Sequence, residues 1–205
     1  KSSTWTVQNI EEKQSSSKPQ PPFITSTLQQ SGNRKLGLST RDVMRVAQSL
    51  YEQGFITYMR TDSPSLSQEA IDGTREIIRD TYGKEYLSDE PRQYSAKSKG
   101  AQEAHEAIRP AGTFTPPEKT GLSGRDLDLY TLIWQRTLAC QMTDAKKSSM
   151  SVRITAGETT FNATGTKIIF PGFMKAYDEE LESGDASWGS ENILPPMKVG
   201  CLLYT

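Results

Sequence analysis

Cysteine is nearly missing: Cys140 and Cys201 are the only two in 205 residues. Two are too few for a disulfide scaffold or a zinc cluster, and they suit a reducing compartment. Histidine occurs once, as His105. With no second His or Cys at ligand spacing, the pattern supports no metal site. No apolar run approaches the ~20 residues of a membrane helix, and no signal-peptide pattern opens the chain. A cytoplasmic protein with no membrane partner is therefore expected. An excess of either charge is also missing, since 24 Lys+Arg stand against 25 Asp+Glu. A globally basic nucleic-acid binder is excluded. A local basic surface is not, because net charge averages over both faces. What is present is enough length to bury a real core in one or two domains.

Periodicity divides the chain. Residues 1–10 alternate weakly and predict a strand, while residues 11–22, rich in Ser, Gln and Pro, read as an exposed connection. Thr25 is placed to cap a helix that buries Ile24 and Leu28 and ends near Gly32. The clearest helix follows: Ser39 and Asp42 form a capping-box-like pair, and Val43, Val46, Ala47, Leu50 and Tyr51 repeat at helical spacing. Gly54 suits the left-handed stop. Ser67 caps a further helix carried by Ala70, Ile71, Thr74, Ile77 and Ile78, which Gly83 ends. A short helix is expected over Gln102–Ile108, closed by Pro110. After a loop at Gly112–Gly124, Leu127, Tyr130, Ile133, Trp134 and Leu138 carry another helix. From Ser149 the period changes to two: Val152–Ile154, Phe161–Thr164, Lys167–Phe170 and Ile193–Thr205 read as strands around an acidic loop at Tyr177–Glu191. The expected class is α+β, with a helical domain inserted into a β domain. Both ends read as cut from a longer chain, since strand-like segments start at Thr4 and run to Thr205.

The chemistry concentrates at Gly54-Phe55-Ile56-Thr57-Tyr58-Met59-Arg60-Thr61-Asp62-Ser63. A phenol ionises near pH ~10 and is a poor nucleophile at neutral pH until a base or cation favours the phenolate. Arg60, two residues on, projects to the same side as Tyr58 if the backbone is extended. Its guanidinium suits a phosphate oxygen and the charge that grows at phosphorus. Thr57, Thr61 and Ser63 add hydroxyls, and Asp62 an acceptor. A tyrosine on an ordinary strand beside an exposed arginine would read the same way. On the expected helix Gln102, His105 and Arg109 share a face that suits phosphate, although a lone histidine is commonly structural. Arg34, Lys35, Arg41 and Arg45 surround the strong helix and suit either backbone phosphates or solvent. Tyr51, Phe55, Tyr82 and Trp134 read as core rather than base-stacking platforms.

Four ordered segments together resemble the type IA DNA topoisomerase family. Pro22-Phe23-Ile24-Thr25-Ser26-Thr27-Leu28-Gln29-Gln30 resembles the opening of its helical domain, and Gly54–Ser63 its strand-cleaving segment. Gln102–Pro110 resembles its histidine motif. Leu129–Arg136 with Ala139–Met142 resembles the helix leading back to its β domain. The resemblance covers about residues 20–175 well and the ends more loosely. It implies a winged-helix (CAP-like) helical domain at 23–147, inserted into a β-rich arch domain made of 1–22 and 148–205. It further implies that Tyr58 is the catalytic nucleophile and forms a 5′-phosphotyrosyl link, and that Arg60 positions it and stabilises the transition state. His105 then contacts the DNA backbone, with Thr57, Asp62, Ser63, Arg109, Arg34 and Arg45 as further DNA contacts. The implied activity is relaxation of negative supercoils, with single-stranded DNA as partner.

The family also uses magnesium, bound by the acidic residues of an N-terminal Toprim domain. This sequence has no Asp-x-Asp-x-Asp cluster. The other domains of the same full-length polypeptide are therefore expected partners, and the isolated chain is expected to be inactive. A non-catalytic DNA-binding winged-helix module is the alternative. A tyrosine recombinase needs several Arg and His residues around its tyrosine, and the single histidine argues against it.

Overall fold

Trp5–Ser17 forms one long strand, β1, which pairs antiparallel along its length with β2 (Ala145–Ala156). A two-residue turn at Gly157, whose φ of 60° is left-handed, leads into β3 (Thr159–Phe170). A glycine meets that geometry without a Cβ clash. The two-residue β4 (Leu202–Leu203) adds to the other edge of β1, so the sheet order is β3-β2-β1-β4. The computed structural model describes residues 4–95, 106–112, 114–177 and 192–203. The sheet belongs to one compact unit, Lys1–Lys18 with Asp144–Thr205. Its core holds Val7, Val152 and Ile154, with Trp5, Ile10 and Met150 packed alongside.

The second unit, Pro19–Thr143, is helical. Its helices are α1 (Thr25–Leu36), α2 (Thr40–Glu52), α3 (Gln68–Tyr82) and α4 (Gly124–Ala139). Ser39 caps α2 by accepting from the Asp42 amide, and Ser67 caps α3 by accepting from the Ala70 amide. Val43, Val46, Ala47 and Leu50 of α2 are all buried and meet Leu28 of α1 and Leu129 and Ile133 of α4 in one core. The apolar stripe of α2 thus does what its spacing dictates.

Several sequence expectations give way. Residues 11–17 are strand, not connection. They carry no apolar alternation because both faces of this part are exposed, and the ladder to β2 alone holds them. Thr25 is the first residue of α1 rather than its cap; the Thr27 hydroxyl accepts from the Ile24 amide instead, and Ile24 is only half-buried. The helix runs on to a left-handed Gly37, with Gly32 buried inside it. Phe161–Phe170 is one strand, not two. Gly165 marks the close approach of the Asn192 carbonyl, which a Cβ would meet at 2.6 Å, not a break. Within Ile193–Thr205, only Leu202–Leu203 is strand among the described residues. Residues 178–191, most of the expected acidic loop, lie outside the described residues, as do 102–105. The described end of the expected helix at 102–108 is extended: Ile108 bridges to Phe23 and Pro110 to Ile56. Proline disfavours helix at the residue before it, here Arg109.

Candidate functional site

The segment after α2 is set by its backbone. The chain leaves α2 through Gly54, at φ 79°, while the Phe55 amide still donates to the Leu50 carbonyl at 2.9 Å. Phe55–Thr57 then lies against Arg109–Ala111. The Thr57 amide donates to the Arg109 carbonyl at 2.9 Å, and the Ala111 amide to the Phe55 carbonyl at 2.9 Å. The Thr57 hydroxyl interlocks them further, donating to the Ala107 carbonyl at 2.7 Å and accepting from the Arg109 amide at 3.0 Å. On the far side of Tyr58, the first residue of α1 performs the same task. The Thr25 hydroxyl donates to the Met59 carbonyl at 2.8 Å and accepts from the Thr61 amide at 2.9 Å. The Thr25 amide donates to the Thr61 carbonyl at 3.0 Å. Tyr58 therefore rides on a backbone pinned on both sides.

Burial alternates along this segment. Met59, Thr61 and Ser63 are buried, while Tyr58, Arg60 and Asp62 are exposed. Tyr58 keeps 49% of its surface, and its ring meets that of Tyr51 edge to face at 5.2 Å. Arg60 and Asp62, with Ile24, Thr25, Ser26 and Thr61, line an open depression of about 380 Å³ at the start of α1. No acidic residue of α1 occupies its first turn, so the positive end of that helix adds to Arg60 at the depression, with Asp62 as the acidic group beside them.

The other residues singled out by sequence divide. Arg34, in the last turn of α1, is exposed. Arg45 is exposed and paired with Asp42 at 2.9 Å, a surface pair of small energetic weight. The Ser39 hydroxyl, ahead of Arg45, lowers the pKa of the Asp42 carboxyl. Thr57, Ser63 and Arg109 do not present free polar groups. The Ser63 hydroxyl, buried, accepts from the Ser65 amide at 3.3 Å. Arg109 grips both oxygens of Glu106, at 2.9 and 2.7 Å, and donates its remaining terminal nitrogen to the Pro110 carbonyl at 2.8 Å. Glu106 also accepts from the Ser67 amide at 2.7 Å, at the start of α3. Burial pushes the Glu106 carboxyl up, but its bonds to Arg109 and Ser67 outweigh that and leave it below the ordinary carboxylate value. His105 lies outside the described residues. Tyr51, which its spacing assigns to the core, is 41% exposed. Sequence reasoning gave Thr25 no role at this site and Glu106 none at all; only the i, i+3 spacing of Glu106 and Arg109 carried a signal.

Among the described residues no group of three or more His, Cys, Asp or Glu could hold a metal ion.

Comparison with known proteins concerns the chain as a whole. The family model described as DNA topoisomerase matches residues 1–204. DNA topoisomerase 1 of Synechocystis sp. is 58% identical over 198 residues, covering 96% of this chain and 22% of that protein. DNA topoisomerase 1 of Mycobacterium leprae is 51% identical over 208 residues, covering 97% of this chain and 22% of that protein. Full-length topoisomerase I from Thermotoga maritima has a similar structure, with a TM-score of 0.78 at 33% identity, covering 98% of this chain and 32% of that one. The chain spans 22% of the length of each of these two curated relatives. From its first strand to its last, this chain belongs to the type IA DNA topoisomerase family.

Proposed function

We propose that the chain supplies the strand-cleaving face of a longer type IA topoisomerase that relaxes negative supercoils. In this reading residues 23–147 form its winged-helix domain, and 1–22 with 148–205 its β-rich arch. The Tyr58 phenolic oxygen forms a bond to phosphorus in single-stranded DNA as the bond from phosphorus to the 3′ oxygen breaks. The phenol gives up its proton, the 3′ oxygen gains one, and the products are a 5′-phosphotyrosyl link and a free 3′-hydroxyl. Resealing reverses these changes, so no ATP is consumed. Arg60, exposed two residues on, positions the phosphate and offsets the charge that develops there. His105, Arg34 and Arg45 contact the DNA backbone, and Asp62 borders the phosphate site. Thr57, Ser63 and Arg109 serve the site by holding its backbone. Magnesium would be held by other domains of the polypeptide, which works in the cytoplasm on the nucleoid.

The observation that carries this reading is the exposed Tyr58 ring on a backbone pinned by Thr25 and Thr57. A fixed nucleophile open to solvent is what attack on an extended strand requires. Replacing Tyr58 with Phe in the full-length enzyme tests it. Single-stranded DNA binding is expected to persist while covalent adduct and relaxation disappear. Relaxation at the unaltered rate would refute the assignment.

A further inference from the structure

Among the described residues of the helical unit, the only exposed large apolar side chains are Tyr51 and Tyr58. They touch each other: the rings stand 5.2 Å apart at 65°, edge to face. This is the geometry that the aromatic quadrupole favours. The backbone of Tyr58 is fixed, but a backbone does not choose a rotamer. An exposed tyrosine otherwise samples its staggered χ1 wells on the picosecond to nanosecond scale. No hydrogen bond among the described residues holds the Tyr58 phenol. The Tyr51 ring is therefore its lateral support.

Tyr51 is itself well anchored. It sits in the last turn of α2, next to the fully buried Leu50. Its carbonyl accepts from the Gly54 amide at 2.9 Å. The left-handed Gly54 then folds the following segment back, which brings residue 58 over residue 51. Bulk core packing does not account for an aromatic side chain that is 41% exposed and leans on the one beside it.

We propose that Tyr51 is a positioning residue for Tyr58, its ring fixing the rotamer that aims the phenolic oxygen at the scissile phosphate. This rests on the reading of Tyr58 as nucleophile. The ring does the work and the Tyr51 hydroxyl does not. Orientation matters because misplacing a reacting group raises the barrier without changing affinity.

The test uses the full-length enzyme and a single-stranded oligonucleotide under single-turnover conditions, reading covalent adduct. Tyr51→Ala is expected to slow adduct formation about 3- to 10-fold, the range that an edge-to-face pair supplies. Tyr51→Phe is expected to restore the rate. Binding, measured in a Tyr58→Phe background so that no chemistry intervenes, is expected to be the same with and without Tyr51→Ala. An unchanged rate for Tyr51→Ala overturns the proposal, and so does a Tyr51→Phe variant as slow as Tyr51→Ala. A loss of binding as large as the loss of rate overturns it too, because the ring would then be a stacking platform for a base. The Tyr58→Phe single variant separates the two levels. If that variant still forms adduct, the reading of Tyr58 itself has failed.

Discussion

Around Tyr58 the polar side chains divide by whether their hydrogen bonds are already used. Arg60 and Asp62 are exposed, while Thr57, Ser63 and Arg109 are committed to neighbours. Glu106 shows the consequence. It holds Arg109 through two oxygens and caps the start of α3 through the Ser67 amide, and the Arg109 amide in turn donates to the Thr57 hydroxyl. Its folded-state pKa is depressed, so its contribution is present above the ordinary value of 4.5 and is lost as pH falls through the lower folded-state pKa. Glu106→Gln should lower the thermal midpoint at neutral pH by about 2–4 °C, after discounting for partial exposure. The gap to the unaltered protein should close as pH drops below 4.5. A gap that stays constant down to acid pH would remove the carboxylate from the account. The alternation of Tyr58 and Arg60 was legible in the sequence, because a two-residue spacing in extended chain has one outcome. The commitment of Thr57 and Arg109 was not. It depends on partners such as Ala107 and Thr57 that lie 50 and 52 residues apart along the chain from Thr57 and Arg109.

At the scale of elements, α1 and α2 pack through a glycine. A Cβ on Gly32 would meet the Val43 side chain at 2.6 Å. Valine is stiff at χ1 and cannot swing aside cheaply. Gly32→Ala gains helix propensity of at most about 1 kcal/mol. Against this, the overpacking costs about 1–3 kcal/mol. The variant should therefore unfold at lower urea concentration, and a raised midpoint would mean that the helices separate freely. Local sequence predicted an end to α1 at this same glycine, because a buried helical glycine and a C-terminal glycine look alike until the facing side chain is known. The same ambiguity hid Gly165, which reads as a strand break but accommodates the Asn192 carbonyl. Helix α2 was legible throughout, since its cap, its stripe and the Gly54 stop agree. Only the outward turn of Tyr51 departed from it.

At the scale of the molecule, the two units hold together by different means. The helical unit gathers Phe23, Leu28, Val43, Leu50, Ile56, Met59, Ile108 and Ile133, all at most 2% exposed, into a single cluster. The core between the strands of the sheet unit is smaller, Val7, Val152 and Ile154, and its outer ladder from Glu11 to Ser16 has exposed or half-exposed partners. Pairing β1 with β2 also closes a loop from Ser17 to Ala145. An unfolded loop of that length costs about 4 kcal/mol to close. A folded Pro19–Thr143 leaves little of that disorder to lose, so the pairing costs least once the helical unit has folded. Local opening should follow the same order in reverse. In native-state hydrogen exchange, the amides of Val43–Leu50 are expected to be protected on the order of 100-fold more than those of Glu11–Ser17. The backbone around Tyr58, tied to α1 and to Arg109–Ala111, should exchange with the helical core rather than with the sheet. Equal protection of the two units would show one cooperative block. Rapid exchange at Thr57 and Thr61 would show that the pins from Thr57 and Thr25 do not hold the nucleophile's backbone.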